Sequence, residues 1–326
     1  MRIHPMWDNF PEIHQDLNDV LSTIEKNINI REKKIADSVK ELIFSGGKLL
    51  RPTYSLLCAQ IGPHHDRNQS ISIAAALEVL HVATLVHDDI IDDAKTRRGN
   101  ETIQSKFGKN YAVYTGDYLF CVCFKILSQH SKDLSTISLN TSSMEKILVG
   151  ELDQMDMRYN LEMNVKQYLK QISGKTAQLF SLSCYLGAEI SQASPYLKNI
   201  ARKIGHNMGM AFQILDDILD YTQNPTNLGK PVLNDVKQGV YSLPLIYAMS
   251  KNRDAFRPYL EKGILMDDAD LSSILLLIET YQGVQHAQEL AEKYTNKSLN
   301  LIKKLPDGQY KEDMLIITSS LLQRKL

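Results

Sequence analysis

The stretch Leu85 to Gly99 reads LVHDDIIDDAKTRRG, in which Asp88, Asp89, Asp92 and Asp93 close an apolar helical run and Arg97 and Arg98 follow. On a helix, residues four apart share a face, so Asp88 and Asp92 point the same way with Asp89 and Asp93 beside them. Clustered carboxylates repel one another, and a divalent cation repays that cost. Oxygen-only ligands on a rigid helix suit Mg²⁺, which takes one or two carboxylates and fills its shell with water and substrate phosphates. A charged helix end wetted by solvent would explain a lone DDxxD equally well. A second copy weighs against that: FQILDDILDY repeats the i, i+1, i+4 set with Asp216, Asp217 and Asp220. Two such clusters facing each other across a cavity would clamp a metal-bound polyphosphate.

Cations stand where a phosphate would need them. Ser45-Gly46-Gly47 stops one helix and GGKLLRP opens the next, with Lys48 and Arg51 at its mouth. They read either as loose surface charges or as a diphosphate cradle beside exposed glycine amides. His81 lies about two turns before Asp88 on nearly the same face, as a core histidine or as part of the site. Lys175, in Gly174-Lys175-Thr176, is a further cation at a junction, with an ordinary turn lysine as the other reading, and Lys230, in LGKP, is another presented by a rigid turn.

Helices must position these groups. Apolar spacing predicts two over Pro11 to Phe44, broken near Asn27 to Ile30, and then Ser70–Asp93, Lys109–Leu127, Ser142–Tyr159, Val165–Ile172, Thr176–Ile190 and Pro195–Asp220. Amphipathic helices follow from Tyr241. The acidic run at Asp267, Asp268 and Asp270 reads as a helix N-terminal cap. No segment alternates as a strand would, and no repeat or linker divides the chain, so the expectation is one all-α domain over residues 1–326. A net charge of -1 argues against nucleic acid as a partner. Cys58, Cys121, Cys123 and Cys184 fit no zinc spacing and read as small core residues of a reducing compartment. The start of the chain shows no secretory signal, and the apolar stretch Ile71 to Val86, interrupted by Glu78 and His81, is short for a span, so the expectation is a cytoplasmic protein without a transmembrane segment.

With GGKLLRP, HVATLVHDDIIDDAKTRRG, GKT, FQILDDILDY and LGKP in this order, the chain resembles the all-trans polyprenyl diphosphate synthases, most of all the large catalytic subunits of bacterial hexaprenyl and heptaprenyl diphosphate synthases. The resemblance implies the isoprenoid synthase fold, a single-domain bundle of long helices around a central cavity. It implies condensation of isopentenyl diphosphate with an allylic diphosphate. Asp88, Asp92 and Asp216 would ligate Mg²⁺, three ions with substrate bound, supported by Asp89, Asp217 and Asp220. Arg97, Lys175 and Lys230 would neutralise the allylic diphosphate, and Lys48, Arg51, His81 and Arg98 would hold that of isopentenyl diphosphate. Thr176 and Gln213 would turn oxygen dipoles toward the developing carbocation. No side-chain base is evident; the departing diphosphate can take the proton.

The residues four and five before the first motif, Thr84 and Ala83, would floor the product tunnel, and both are small. An open tunnel implies a long product, about C30 to C40, with Leu80 and Leu77 as the next floor. Val240 stands where many family members carry a lysine. The resemblance also implies a homodimer, or a heterodimer with a small regulatory subunit, and a membrane-associated product. Shorter farnesyl or geranylgeranyl products remain an alternative. A class I terpene cyclase would carry an Asn/Ser/Glu triad in place of DDILD. A metal phosphohydrolase of the HD type would need more clustered histidines than His64, His65 and His206 offer.

Overall fold

The computed structural model describes residues 3–45, 47–130, 134–222 and 233–322. Among these the regular structure is helical except for one small two-stranded hairpin. Its contacts group it into two compact units, Met1–Thr141 with Leu182–Arg202 and Ser142–Ser181 with Lys203–Leu326.

In the first unit, α1 (Pro11–Asn27) and α2 (Lys33–Phe44) break where the periodicity predicts. Then come α3 (Leu50–Cys58), introduced by Leu49 in the left-handed region at φ 50, and α4 (Arg67–Ile91). Asp66 caps α4 by accepting from the Gln69 amide at 3.0 Å, so the helix starts earlier than its apolar residues suggest. Every residue from Ile71 to Leu80 is buried, which leaves no polar stripe on that part of the helix. It is also the one described helix long and apolar enough to cross a membrane, and 72% of that apolar window is buried inside the fold. The apolar stretch Ile71 to Val86 thus lies within a 25-residue helix whose apolar character belongs to a core.

After α4 the chain forms β1 (Thr96–Arg97) and β2 (Asn100–Glu101), antiparallel, with Arg97 opposite Asn100. Arg98 at φ 51 and Gly99 at φ 82 occupy the turn; positive φ at both residues is the type I′ geometry that closes two-residue hairpins. Strands this short leave no alternation to read. The short α5 (Ile103–Phe107) leads into α6 (Lys109–His130), which packs along α4.

The second unit contains most of α7 (Leu134–Asp156), then α8 (Val165–Ile172), which continues through a π turn at Ser173–Ala177 into α9 (Gln178–Ile190). The predicted break at Gly174 is thus a bulge inside a continuous helical run. Next comes α10 (Pro195–Thr222), and the unit boundaries fall inside α7, α9 and α10 with no linker. Short helices α11 (Asn234–Lys237), α12 (Leu243–Lys251) and α13 (Arg253–Leu260) precede α14 (Asp268–Thr280), α15 (Gly283–Ile302) and α16 (Gln309–Leu322). The third acidic run is a capping box as expected: Asp267 accepts from the Asp270 amide at 2.9 Å, and Asp270 accepts from that of Asp267 at 3.1 Å. Cys58, Cys123 and Cys184 are buried, but Cys121 is exposed, because it falls on the outer face of α6.

Candidate active site

The first unit carries an anionic and a cationic group of residues side by side. Asp88 and Asp89 sit in the last turn of α4 and Asp92 is its C-terminal cap. Asp93 has left the helix at φ 49 and pairs with Lys109 Nζ at 3.0 Å, which holds its carboxyl below the usual range. The expectation that Asp93 joins the cluster is corrected by that turn. Asp89, 3% exposed, accepts from Arg97 Nε at 2.7 Å; burial pushes its carboxyl up and Arg97 pulls it back. The hairpin aims Arg97 at this partner. The Thr102 hydroxyl and the Gln104 amide donate to the Ala94 carbonyl at 2.7 and 2.8 Å and fix the loop beneath it.

Asp88 and Asp92 stand one turn apart at the negative end of the α4 macrodipole, where carboxylates are disfavoured and cations favoured. Oxygen donors in that place fit Mg²⁺. Among the described residues no three His, Cys, Asp or Glu side chains are grouped so as to hold a metal ion. His87 ties this end of α4 to α6. Its ring stacks on Phe120 at 5.3 Å, and its nitrogens meet the Ala83 carbonyl at 3.1 Å and Asp117 Oδ1 at 3.2 Å.

The cationic group gathers Arg51, His81 and Arg98, with Lys48 next in the chain to Gly47 beside Arg98. The backbone at Lys48 is pinned from the N-terminal segment, where buried Trp7 donates its indole N–H to the Lys48 carbonyl at 2.9 Å. Gly47 has no side chain for a reason: a Cβ there would meet Arg98 Nη1 at 2.5 Å. Desolvation lowers Arg51 to about 10, with Arg98 adding to the effect and Glu78 opposing it. Burial, then the cations Arg51, Arg98 and Arg97, push His81 well below its ordinary value, so its imidazole is neutral. A neutral ring can still donate one N–H to a phosphate oxygen.

In the second unit the π turn presents Lys175 and Thr176. Gly150 and Gly174 make room for it: a Cβ on Gly150 would lie 2.9 Å from the Lys175 amide nitrogen. Lys175 Nζ donates to Glu151 and Gln154, each at 2.8 Å. The Thr176 hydroxyl donates to Gln213 Oε1 at 2.7 Å, and the Gln213 amide donates to Asp217 Oδ1 at 2.7 Å. Tyr168 donates to the other Asp217 oxygen at 2.5 Å. Desolvation pushes Asp217 up to about 7 despite both donors. Asp216 and Asp220, both exposed, flank it at the end of α10. Each DDxxD set thus caps the negative end of a long helix. Lys230 lies outside the described residues.

The chain-length candidates occupy α4, where Leu77, Leu80 and Ala83 are buried and the Thr84 hydroxyl donates to the His81 carbonyl at 2.7 Å. Sequence reasoning passed over Glu78, Trp7, Glu151, Gln154 and Tyr168. A glutamate inside AAALEVLHV was the one readable signal, since a charge in a buried run demands a partner.

The family model for polyprenyl synthetases matches residues 32–280. The chain belongs to this family. It is therefore an enzyme that transfers prenyl groups. This polyprenyl synthetase is 32% identical to heptaprenyl diphosphate synthase component 2 of Bacillus subtilis, over 98% of its own length and 93% of that protein's. It is 34% identical to the component 2 of Geobacillus stearothermophilus, over 90% and 91%. Among solved structures, its fold matches a geranylgeranyl pyrophosphate synthase of Lactobacillus brevis at TM-score 0.94 and 40% identity, covering 98% and 99% of the two chains. A heptaprenyl diphosphate synthase of Staphylococcus aureus matches at 0.90 and 34% identity, covering 96% and 98%.

Proposed function

We propose that this polyprenyl synthetase condenses isopentenyl diphosphate head-to-tail with an allylic diphosphate, in the presence of Mg²⁺, to build a long all-trans polyprenyl diphosphate. The observation that carries the reading is the first unit's pair of neighbouring groups. A carboxylate set that favours a hard cation lies beside Arg51, His81 and Arg98, with Arg97 on Asp89 between them, and Lys48 would join that cradle. One anionic substrate would need only one of these.

In the first unit Asp88 and Asp92, and in the second Asp216, would be Mg²⁺ ligands, and the ion when bound would neutralise the diphosphate as the allylic carbon–oxygen bond breaks. Arg97 in the first unit and Lys175 in the second would be cations for that leaving group, as would Lys230, and the cradle would seat isopentenyl diphosphate. Asp217, held by Tyr168 and Gln213, and Asp89, held by Arg97, orient their helix ends. The Thr176 to Gln213 bond fixes the hydroxyl rotor, and with it the direction of the oxygen lone pairs.

Small side chains at Ala83 and Thr84, and the heptaprenyl relatives, support a long product. The Lactobacillus brevis neighbour favours a geranylgeranyl product as the second reading. A soluble, cytoplasmic enzyme with a membrane-bound product fits a chain whose one span-length described helix is a core helix. Leu148, Val149, Leu152 and Met155 expose apolar surface along α7, Leu152 to 64%, which supports association with a second copy. The word component in the relatives' names supports a small partner subunit instead.

The test is to incubate the purified protein with Mg²⁺, farnesyl diphosphate and labelled isopentenyl diphosphate and to size the dephosphorylated products. A ladder reaching about C30 or beyond is expected, and Asp88→Ala and Asp216→Ala should each lower turnover by roughly 10²-fold or more, the scale of losing a preorganised charge contact. Near-wild-type turnover in either variant refutes the metal assignment.

A further inference from the structure

Lys175 is held at both ends. Its Nζ donates to Glu151 Oε2 and to Gln154 Oε1, each at 2.8 Å, and these two residues stand three apart on one face of α7. The residue before them is Gly150, where a Cβ would lie 2.9 Å from the Lys175 amide nitrogen and 3.1 Å from Gly174 backbone. One stretch of α7 therefore does two things to the same lysine: it lets the backbone of the π turn come close, and it grips the ammonium at the far end of the side chain. The grip is partly screened from water, with 16% of the Glu151 side chain and 29% of the Lys175 side chain exposed. A lysine is a compact charge on a flexible four-carbon stem, and fixing it costs rotamer freedom. A cation already fixed when its anion arrives avoids that loss during binding and reaction.

We propose that Glu151 and Gln154 are positioning residues for Lys175, a socket on α7 that sets the place of its ammonium before the allylic diphosphate binds and holds it there as the carbon–oxygen bond breaks. This rests on the reading of Lys175 as a cation for the leaving group. The socket works by reach, through two acceptor oxygens at a set distance, rather than by charge: Gln154 is neutral and is bonded at the same 2.8 Å as Glu151. It should act on the allylic substrate and not on isopentenyl diphosphate, which is assigned to the cradle of the first unit. A carboxylate that only stabilised the fold would not distinguish the two.

Glu151→Gln keeps the reach and removes the charge, Glu151→Asp keeps the charge and shortens the reach by one methylene, and Glu151→Leu removes both. Steady-state kinetics of the full-length protein with each substrate varied, and thermal melting of the same samples, read the effects. The Leu variant should lower kcat/KM for the allylic diphosphate roughly tenfold, the scale of a lost charge-assisted hydrogen bond, while the KM for isopentenyl diphosphate stays within about twofold. The Gln variant should return to within about threefold of wild type, and the Asp variant should not. An Asp variant that matches wild type beside a Gln variant as poor as Leu would show that charge acts rather than reach, and overturns the proposal, as does a Leu variant that shifts both substrates alike. In a Lys175→Met background, Glu151→Leu should change allylic kcat/KM by less than about twofold, because the lysine is its route to the substrate; the full tenfold loss there overturns the proposal too. Gln154→Leu leaves the charged pair in place and carries the test if Glu151→Leu fails to fold: a loss of about threefold in allylic kcat/KM is expected, and wild-type kinetics overturn the socket. Wild-type allylic kinetics in Lys175→Met alone would instead show that the reading of Lys175 as a leaving-group cation is what fails.

Discussion

The burden on individual residues in this chain is electrostatic. Four cationic or potentially cationic groups (Arg51, His81, Arg97, Arg98) act on one another in the first unit, Arg97 bonded to Asp89 beside Asp88 and Asp92, and position decides which are charged. His81 is kept neutral because it is buried among arginines, whereas Asp89 keeps Arg97 at 2.7 Å. The cations were legible as types in the sequence. The neutrality of His81 was not, because it follows from burial and neighbours that only the fold supplies. Gly47 gives a clean test at this scale. An added methyl would meet the end of a flexible arginine rather than backbone, so Gly47→Ala should fold with little change in melting temperature. It should displace Arg98 and raise the KM for isopentenyl diphosphate about tenfold, the value of a lost charge-assisted hydrogen bond. Kinetics indistinguishable from wild type would remove Arg98 from the cradle.

At the scale of elements, the recurring device is a long helix that delivers its carboxylates at its negative end, α4 to Asp88 and Asp92 and α10 to Asp216 and Asp220. Apolar periodicity showed these helices to within a few residues, since buried helices of this length leave a strong signal. Two features escaped it. The hairpin over Thr96 to Glu101 is too short to alternate, and the π turn at Ser173–Ala177 looks like a helix break because Gly174 is a poor helix former. Such turns recur at functional sites because the extra residue re-aims the side chains that follow, here Lys175 and Thr176. Gly150 of α7 is what allows the bulge to fit. Gly150→Ala would set a Cβ 2.9 Å from the Lys175 nitrogen and 3.1 Å from Gly174 backbone, neither of which can rotate away. A backbone shift of this kind costs about 1–3 kcal/mol, to be seen as a lowered denaturation midpoint. Turnover should fall further than stability does, because Lys175 and Thr176 move with the turn. A variant as stable and active as wild type would show that the approach of these helices is looser than drawn.

Product length belongs to the whole molecule, because a growing chain would sample whatever hollow the fold leaves beneath the first aspartate motif. The sequence offered a short list, Ala83 and Thr84 and then Leu80 and Leu77, from spacing along one helix. The structure adds that Ala83, Leu80 and Leu77 are buried while the Thr84 hydroxyl is bound to the His81 carbonyl. Ala83 is therefore the position at which a large side chain must either fill space or make it. In close-packed core, Ala83→Phe should cost about 1–3 kcal/mol or more and lower the melting temperature by several degrees. Beside a hollow that a polyprenyl tail enters, the ring is accommodated and takes the place of the tail. The expectation is the second outcome: melting within about two degrees of wild type, turnover of the first condensations preserved, and a ladder that stops at C15 or C20. Because stability and product size are read on the same sample, the two cases separate without ambiguity. A folded variant with an unchanged ladder would move the floor off Ala83, and then Leu80→Phe, one turn further from the motif, is the next substitution whose product would be sized.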